Sequence, residues 1–89
     1  MPTISRFHGI AIRMYIEVGG RHHRPHFHVR YQQFNAVFAI DRIELIGGYL
    51  PGSQRRLVEE WAAVYKSELL DNWQSLQTER PPKGIRPLT

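Results

Sequence analysis

Apolar side chains alternate with polar ones through the first half of this chain and recur at intervals of three and four in the second. That change of period sets the fold class. Ile10, Ile12, Met14, Ile16 and Val18 alternate with Ala11, Arg13, Tyr15 and Glu17, the pattern of a strand with one buried face. Gly19-Gly20 opens a polar loop that Pro25 closes; beyond it Phe27, Val29 and Tyr31 project one way and His26, His28 and Arg30 the other. Residues 32–35 read as a turn, Ala36 to Ile40 as a short strand, Asp41-Arg42 as a second turn and Ile43 to Ile46 as a last strand, stopped by Gly47-Gly48.

After Pro51 the period lengthens. Val58, Trp61, Tyr65, Leu69, Trp73 and Leu76 form one apolar stripe on a helical spacing, with Ser53 as the expected N-cap. The stripe fits one long helix, or two with a break near Lys66-Ser67 and Ser67 as a second cap. Trp61 and Trp73 are both assigned to the core. The expected fold is therefore α+β, a three- to four-stranded antiparallel meander packed on one C-terminal helix or helix pair. Residues 1–78 make a single domain, and 79–89, with Pro81, Pro82 and Pro87 among Arg80, Lys83 and Arg86, make a basic, irregular tail, loose by default.

Composition narrows the chemistry. Eighty-nine residues hold one core, and a thin one, so a partner or a second copy in a homodimer would add useful buried area. The absence of cysteine excludes disulfides, thiolate metal sites and cysteine nucleophiles. A net charge of +4 favours nucleic acid or an acidic protein as partner. No stretch approaches the roughly 20 apolar residues of a membrane span, and no charged segment followed by an apolar run opens the chain, so the cytoplasm is the expected compartment.

Four of the five histidines fall in the run His22-His23-Arg24-Pro25-His26-Phe27-His28-Val29-Arg30-Tyr31. Symmetric pairing across the preceding loop sets Glu17 opposite His26, Tyr15 opposite His28 and Arg13 opposite Arg30. Only slips by two residues compete, because a slip by one would turn the apolar residues outward. In each such register one face gathers imidazoles, guanidiniums, a phenol and a carboxylate.

Several chemistries suit that face. His22, His26 and His28 with Glu17 make a three-histidine, one-carboxylate set for zinc or another divalent transition metal. With no cofactor at all, His26 or His28 could exchange protons with an RNA 2′-hydroxyl or leaving oxygen. Arg13 and Arg30 would then stabilise the phosphorane and Tyr15 position it, as in a metal-independent ribonuclease. The same surface could grip nucleic acid without cleaving it. Finally, the histidines could stack at a protein interface whose assembly would respond to pH near the ordinary imidazole pKa of about 6.5.

The segments Met1-Pro2-Thr3-Ile4-Ser5-Arg6-Phe7, Gly9-Ile10, Ile12-Arg13-Met14-Tyr15, Pro25-His26-Phe27-His28-Val29-Arg30-Tyr31, Leu50-Pro51, Glu60-Trp61 and Glu68-Leu69-Leu70 with Asn72-Trp73 together resemble a family of small bacterial domains of unknown function. The similarity extends to His22 and covers nearly the whole chain. Arg24, where many relatives carry proline, and the additional His23 are departures that make the loop more basic. Such relatives are often encoded beside a second small gene, in arrangements like toxin–antitoxin pairs, which implies a cognate small protein as partner. The resemblance supplies no catalytic residue. The leading expectation is a cytoplasmic component of such a pair that binds or cleaves RNA through its His/Arg/Tyr face.

Overall fold

Residues 2–16 and 24–88 are described by the computed structural model. Five strands, β1 (Thr3–Phe7), β2 (Ile10–Arg13), β3 (His26–Tyr31), β4 (Phe34–Ala39) and β5 (Glu44–Gly48), pair antiparallel in sequence order. Two helices follow, α1 (Gly52–Val64) and α2 (Lys66–Gln77). The α+β meander with a helix pair is as expected, with one strand more than the sequence pattern disclosed.

That extra strand is β1, and its concealment has a physical cause. A bulge between Thr3 and Ser5 inserts Ile4, so burial runs exposed, buried, buried, exposed, buried instead of alternating. The turn that follows has both central residues, His8 (φ 49°) and Gly9 (φ 76°), in the left-handed region, as a type I′ hairpin turn requires. At its other end β2 is shorter than expected. Pairing stops at Arg13, and Ile16 is 46% exposed where the alternation predicts burial. Pro2 and Pro25 both lie at this end of the sheet and have no N–H to extend a ladder; their carbonyls instead accept from the Met14 and Ile40 amides. Val18 lies outside the described residues.

The apolar face of the sheet meets α1. Trp61, fully buried, packs against Phe7 and Phe27 at ring separations of 5.3 and 5.9 Å, and Phe27 stacks on Phe38 at 5.6 Å. Pro51, not Ser53, occupies the N-cap position and offers no side-chain bond; its carbonyl accepts from the Arg55 amide. The helices break at the single residue Tyr65, one position before the expected Lys66-Ser67, so Ser67 caps nothing.

From that break α2 runs past the strand ends. Its Lys66 Nζ donates to the Asp41 carbonyl at 2.8 Å, Trp73 packs on His26, and Leu76 borders an open apolar depression together with Pro2, Tyr15 and Ile16. The helix closes with the Arg80 amide bonded to the Ser75 carbonyl and the Glu79 amide to that of Leu76, while Glu79 takes the left-handed position (φ 60°) that glycine more often fills.

The tail is irregular in backbone but docked. The Asn72 side chain donates to the Lys83 carbonyl and accepts from the Lys83 amide, both at 2.8 Å. The Ile85 amide donates to Ile4 of β1 at 2.7 Å, and Trp61 Nε1 donates to the Arg86 carbonyl at 2.8 Å. Ile85 is buried in the core cluster.

Candidate functional site

The register between β2 and β3 places Arg13 opposite His28 and Ala11 opposite Arg30, two residues away from symmetric pairing. Because the slip is even, the partition into faces is preserved. Continuing across β4, His28 faces Val37 and Arg30 faces Asn35. One transverse row thus reads Thr3, Arg13, His28, Val37 and Gly47, and the next reads Arg6, Ala11, Arg30 and Asn35.

Arg13, Tyr15, His28, Arg30 and Asn35, with the backbones of Val29 and Ala36 at their base, line a pocket of about 220 Å³ on this face. Four of the five residues nominated for catalysis, namely Arg13, Tyr15, His28 and Arg30, therefore converge. Tyr15 no longer belongs to the strand, yet its ring stacks on His28 at 4.5 Å and 17°. Arg30 is held from the other side: its Nε donates to the Gln32 carbonyl at 2.6 Å and its Nη1 to Asn35 Oδ1 at 3.3 Å. That fixes the guanidinium over the β3–β4 turn. Among the described residues, the pocket lining holds two guanidiniums, an imidazole, a phenol and an amide, and no carboxylate. Such a set suits an anion, and bidentate contact from arginine suits a phosphate in particular.

The fifth nominee, His26, lies outside the pocket lining. It lies beside His28, ring to ring at 5.3 Å, but is only 2% exposed, with Trp73 packed against it at 5.0 Å. The sequence pattern puts His26 on the polar face and cannot say that α2 will send an indole over the end of that face. Trp73 is correspondingly half-buried, a cover for the histidine and not a core residue of the Trp61 kind. His26 Nδ1 donates to the Arg24 carbonyl at 2.7 Å. In the neutral ring this bond places the proton on Nδ1 and leaves Nε2 as the acceptor nitrogen.

Arg24 is itself anchored, its Nη2 lying 2.8 Å from Asp41 and 3.0 Å from Glu44. The hydrogen bond from Arg24, reinforced by the Arg42 amide, holds the Asp41 carboxyl below its ordinary range, and the same ion pairs raise Arg24. A chain of restraint thus leads from the β4–β5 turn through Arg24 to His26, which supports His28 from behind. Of these three residues, His28 alone lines the pocket.

The metal reading draws on His22, His26, His28 and Glu17. His22 and Glu17 lie outside the described residues, and among the described residues no group of three histidine, aspartate or glutamate side chains is placed to hold an ion. Sequence reasoning missed two residues. Asn35 lines the pocket from a stretch whose sequence reads as a turn, and the signal for it is its place one residue beyond Phe34, opposite Arg30. Asn72, buried and bonded to the tail, had its signal in a lone amide between Leu69 and Leu76 on the apolar stripe.

A family model described as Domain of unknown function (DUF4160) matches residues 9–74, which include the pocket, the Trp73 cover and both helices up to the last turn of α2. No curated protein and no solved structure matches the chain. Among the described residues no helix is long and apolar enough to cross a membrane.

Proposed function

We propose that this chain, which belongs to the DUF4160 family, is the RNA-engaging component of a bacterial toxin–antitoxin-like pair and holds RNA phosphates in the Arg13–Arg30 pocket. One observation carries the reading: a concave site on a rigid sheet in which every charged side chain described is a cation and the remaining groups are an imidazole, a phenol and an amide. Phosphate contacts supply the bulk of non-specific affinity for nucleic acid, and arginine forks supply it with defined geometry. The net charge of +4 draws the same partner from a distance.

The pocket also holds the elements of metal-independent cleavage. His28 would accept the 2′-hydroxyl proton as that oxygen attacks phosphorus, and Arg13 and Arg30 would stabilise the charge that builds on the non-bridging oxygens. The 5′-oxygen then leaves, protonated by water or by Tyr15, with a 2′,3′-cyclic phosphate as product. The cognate protein from the neighbouring gene would occupy this face and silence it.

Purified protein mixed with end-labelled single-stranded RNA tests both halves. Binding that is lost in Arg13→Ala supports the site, and cyclic-phosphate ends that vanish in His28→Ala make the protein a ribonuclease. Binding without cleavage leaves an RNA-binding module. No binding, together with harmless expression in the absence of the neighbouring gene, overturns the proposal.

A further inference from the structure

Tyr15 lines two cavities. On one side it walls the phosphate pocket; it also lines an apolar trough of about 450 Å³ shared with Pro2, Ile16, Leu76, Pro81 and Pro82, with Glu79 and Arg80 beside them. We infer that this trough receives an unpaired nucleobase of the same RNA whose phosphate sits in the Arg13–Arg30 pocket, with Tyr15 as the partition between the two parts of one nucleotide site. This inference rests on the phosphate reading and adds to it the class of substrate: single-stranded RNA, since a base already paired in a duplex cannot enter the trough.

Ile16 is 46% exposed, a large apolar side chain left at the surface directly after the tyrosine that walls the charged pocket. An apolar trough adjoining a cationic one matches the two halves of a nucleotide, flat and uncharged on one side and anionic on the other. Glu79 and Arg80 border the trough, whose surface is otherwise apolar, as the flat face of a base requires. Its far wall is fixed: the Arg80 amide is tied to Ser75, and the tail beyond Pro82 is tied by Asn72 at Lys83. Stacking and apolar contact to a single base is worth roughly tenfold or more in affinity.

Two probes of equal length separate this inference from the reading beneath it: a short single-stranded oligoadenylate and the corresponding abasic ribose-phosphate oligomer, titrated by fluorescence anisotropy at fixed salt. The expected result is oligoadenylate binding about tenfold tighter than the abasic chain, with the ratio falling towards one in Ile16→Ser and in Arg80→Ala. Equal affinity of the wild-type protein for both probes overturns the base site and leaves the phosphate pocket standing. A ratio that survives both substitutions also overturns it, because the base then sits elsewhere. Failure of both probes to bind overturns the phosphate reading and this inference together.

Discussion

Two histidines separated by one residue have opposite surroundings. His26 is sealed beneath Trp73 and bonded to the Arg24 carbonyl, whereas His28 stands at the pocket beside Tyr15. His26→Ala should therefore lower stability by about 1–3 kcal/mol, from the cavity and the lost bond. His28→Ala should cost under about 1 kcal/mol and act on RNA binding or cleavage instead. Urea unfolding of the two variants checks the contrast, and equal losses would refute the division of roles. Glycines divide in a similar way. At Gly9 (φ 76°) a Cβ would meet only the edge of Tyr31 at 3.6 Å, so Gly9→Ala carries a conformational cost of about 1 kcal/mol. At Gly48 (φ 74°) a Cβ would fall 2.1 Å from the Asn35 carbonyl oxygen, which accepts the Tyr49 amide. Gly48→Ala should thus cost about 3 kcal/mol or more and displace Asn35 from the pocket wall, to be read as a lower thermal midpoint with weakened RNA affinity.

Among the elements, the C-terminal tail departs furthest from its sequence expectation. Three separate elements hold it: Asn72 of α2, Ile4 of β1 and Trp61 of α1. Asn72 supplies two of the clamp's bonds, and Asn72→Ala should remove both bonds to Lys83 at a cost of about 2 kcal/mol. Amide exchange at Lys83 and Ile85 should then rise well above exchange in β3. If the tail stays protected in the variant, Ile4 and Trp61 suffice and the amide is dispensable. The segment Glu68-Leu69-Leu70 with Asn72-Trp73 accordingly does three jobs on one helix: Leu69 fills the core, Asn72 ties the tail and Trp73 covers His26.

At the scale of the whole molecule, electrostatics link the strand ends to the site. Asp41, held below its ordinary pKa by Arg24, is deprotonated more readily in the folded protein than in the unfolded chain. Its contribution to stability is present above the unfolded carboxyl range and fades as pH falls through the lowered folded value. Asp41→Asn should flatten the acid side of the stability profile while leaving the neutral side parallel, as followed by thermal melts between about pH 2 and 7. RNA affinity should fall as salt rises, with a modest slope set by the two arginines at the pocket. A salt-independent affinity would rule out phosphate contact as its source.

The division between strands and helices, the antiparallel order of consecutive strands and the face shared by Arg13, His28 and Arg30 were all legible from residue order, because side-chain periods of two and of three to four are properties of the local backbone. A register slip of two leaves those periods untouched, so the pairing of Arg13 with His28 was open until the strands met. The bulge at Ile4 broke the alternation that would have announced β1, and the pairing of β2 ends at Arg13 although the alternation runs on to Val18. What covers His26, what docks the tail and what lies on either side of Tyr15 depend on contacts between residues distant in sequence, and no local pattern encodes them. Residue order decided which side chains share a surface; packing of α2 across the strand ends decided which of them water and a ligand can reach.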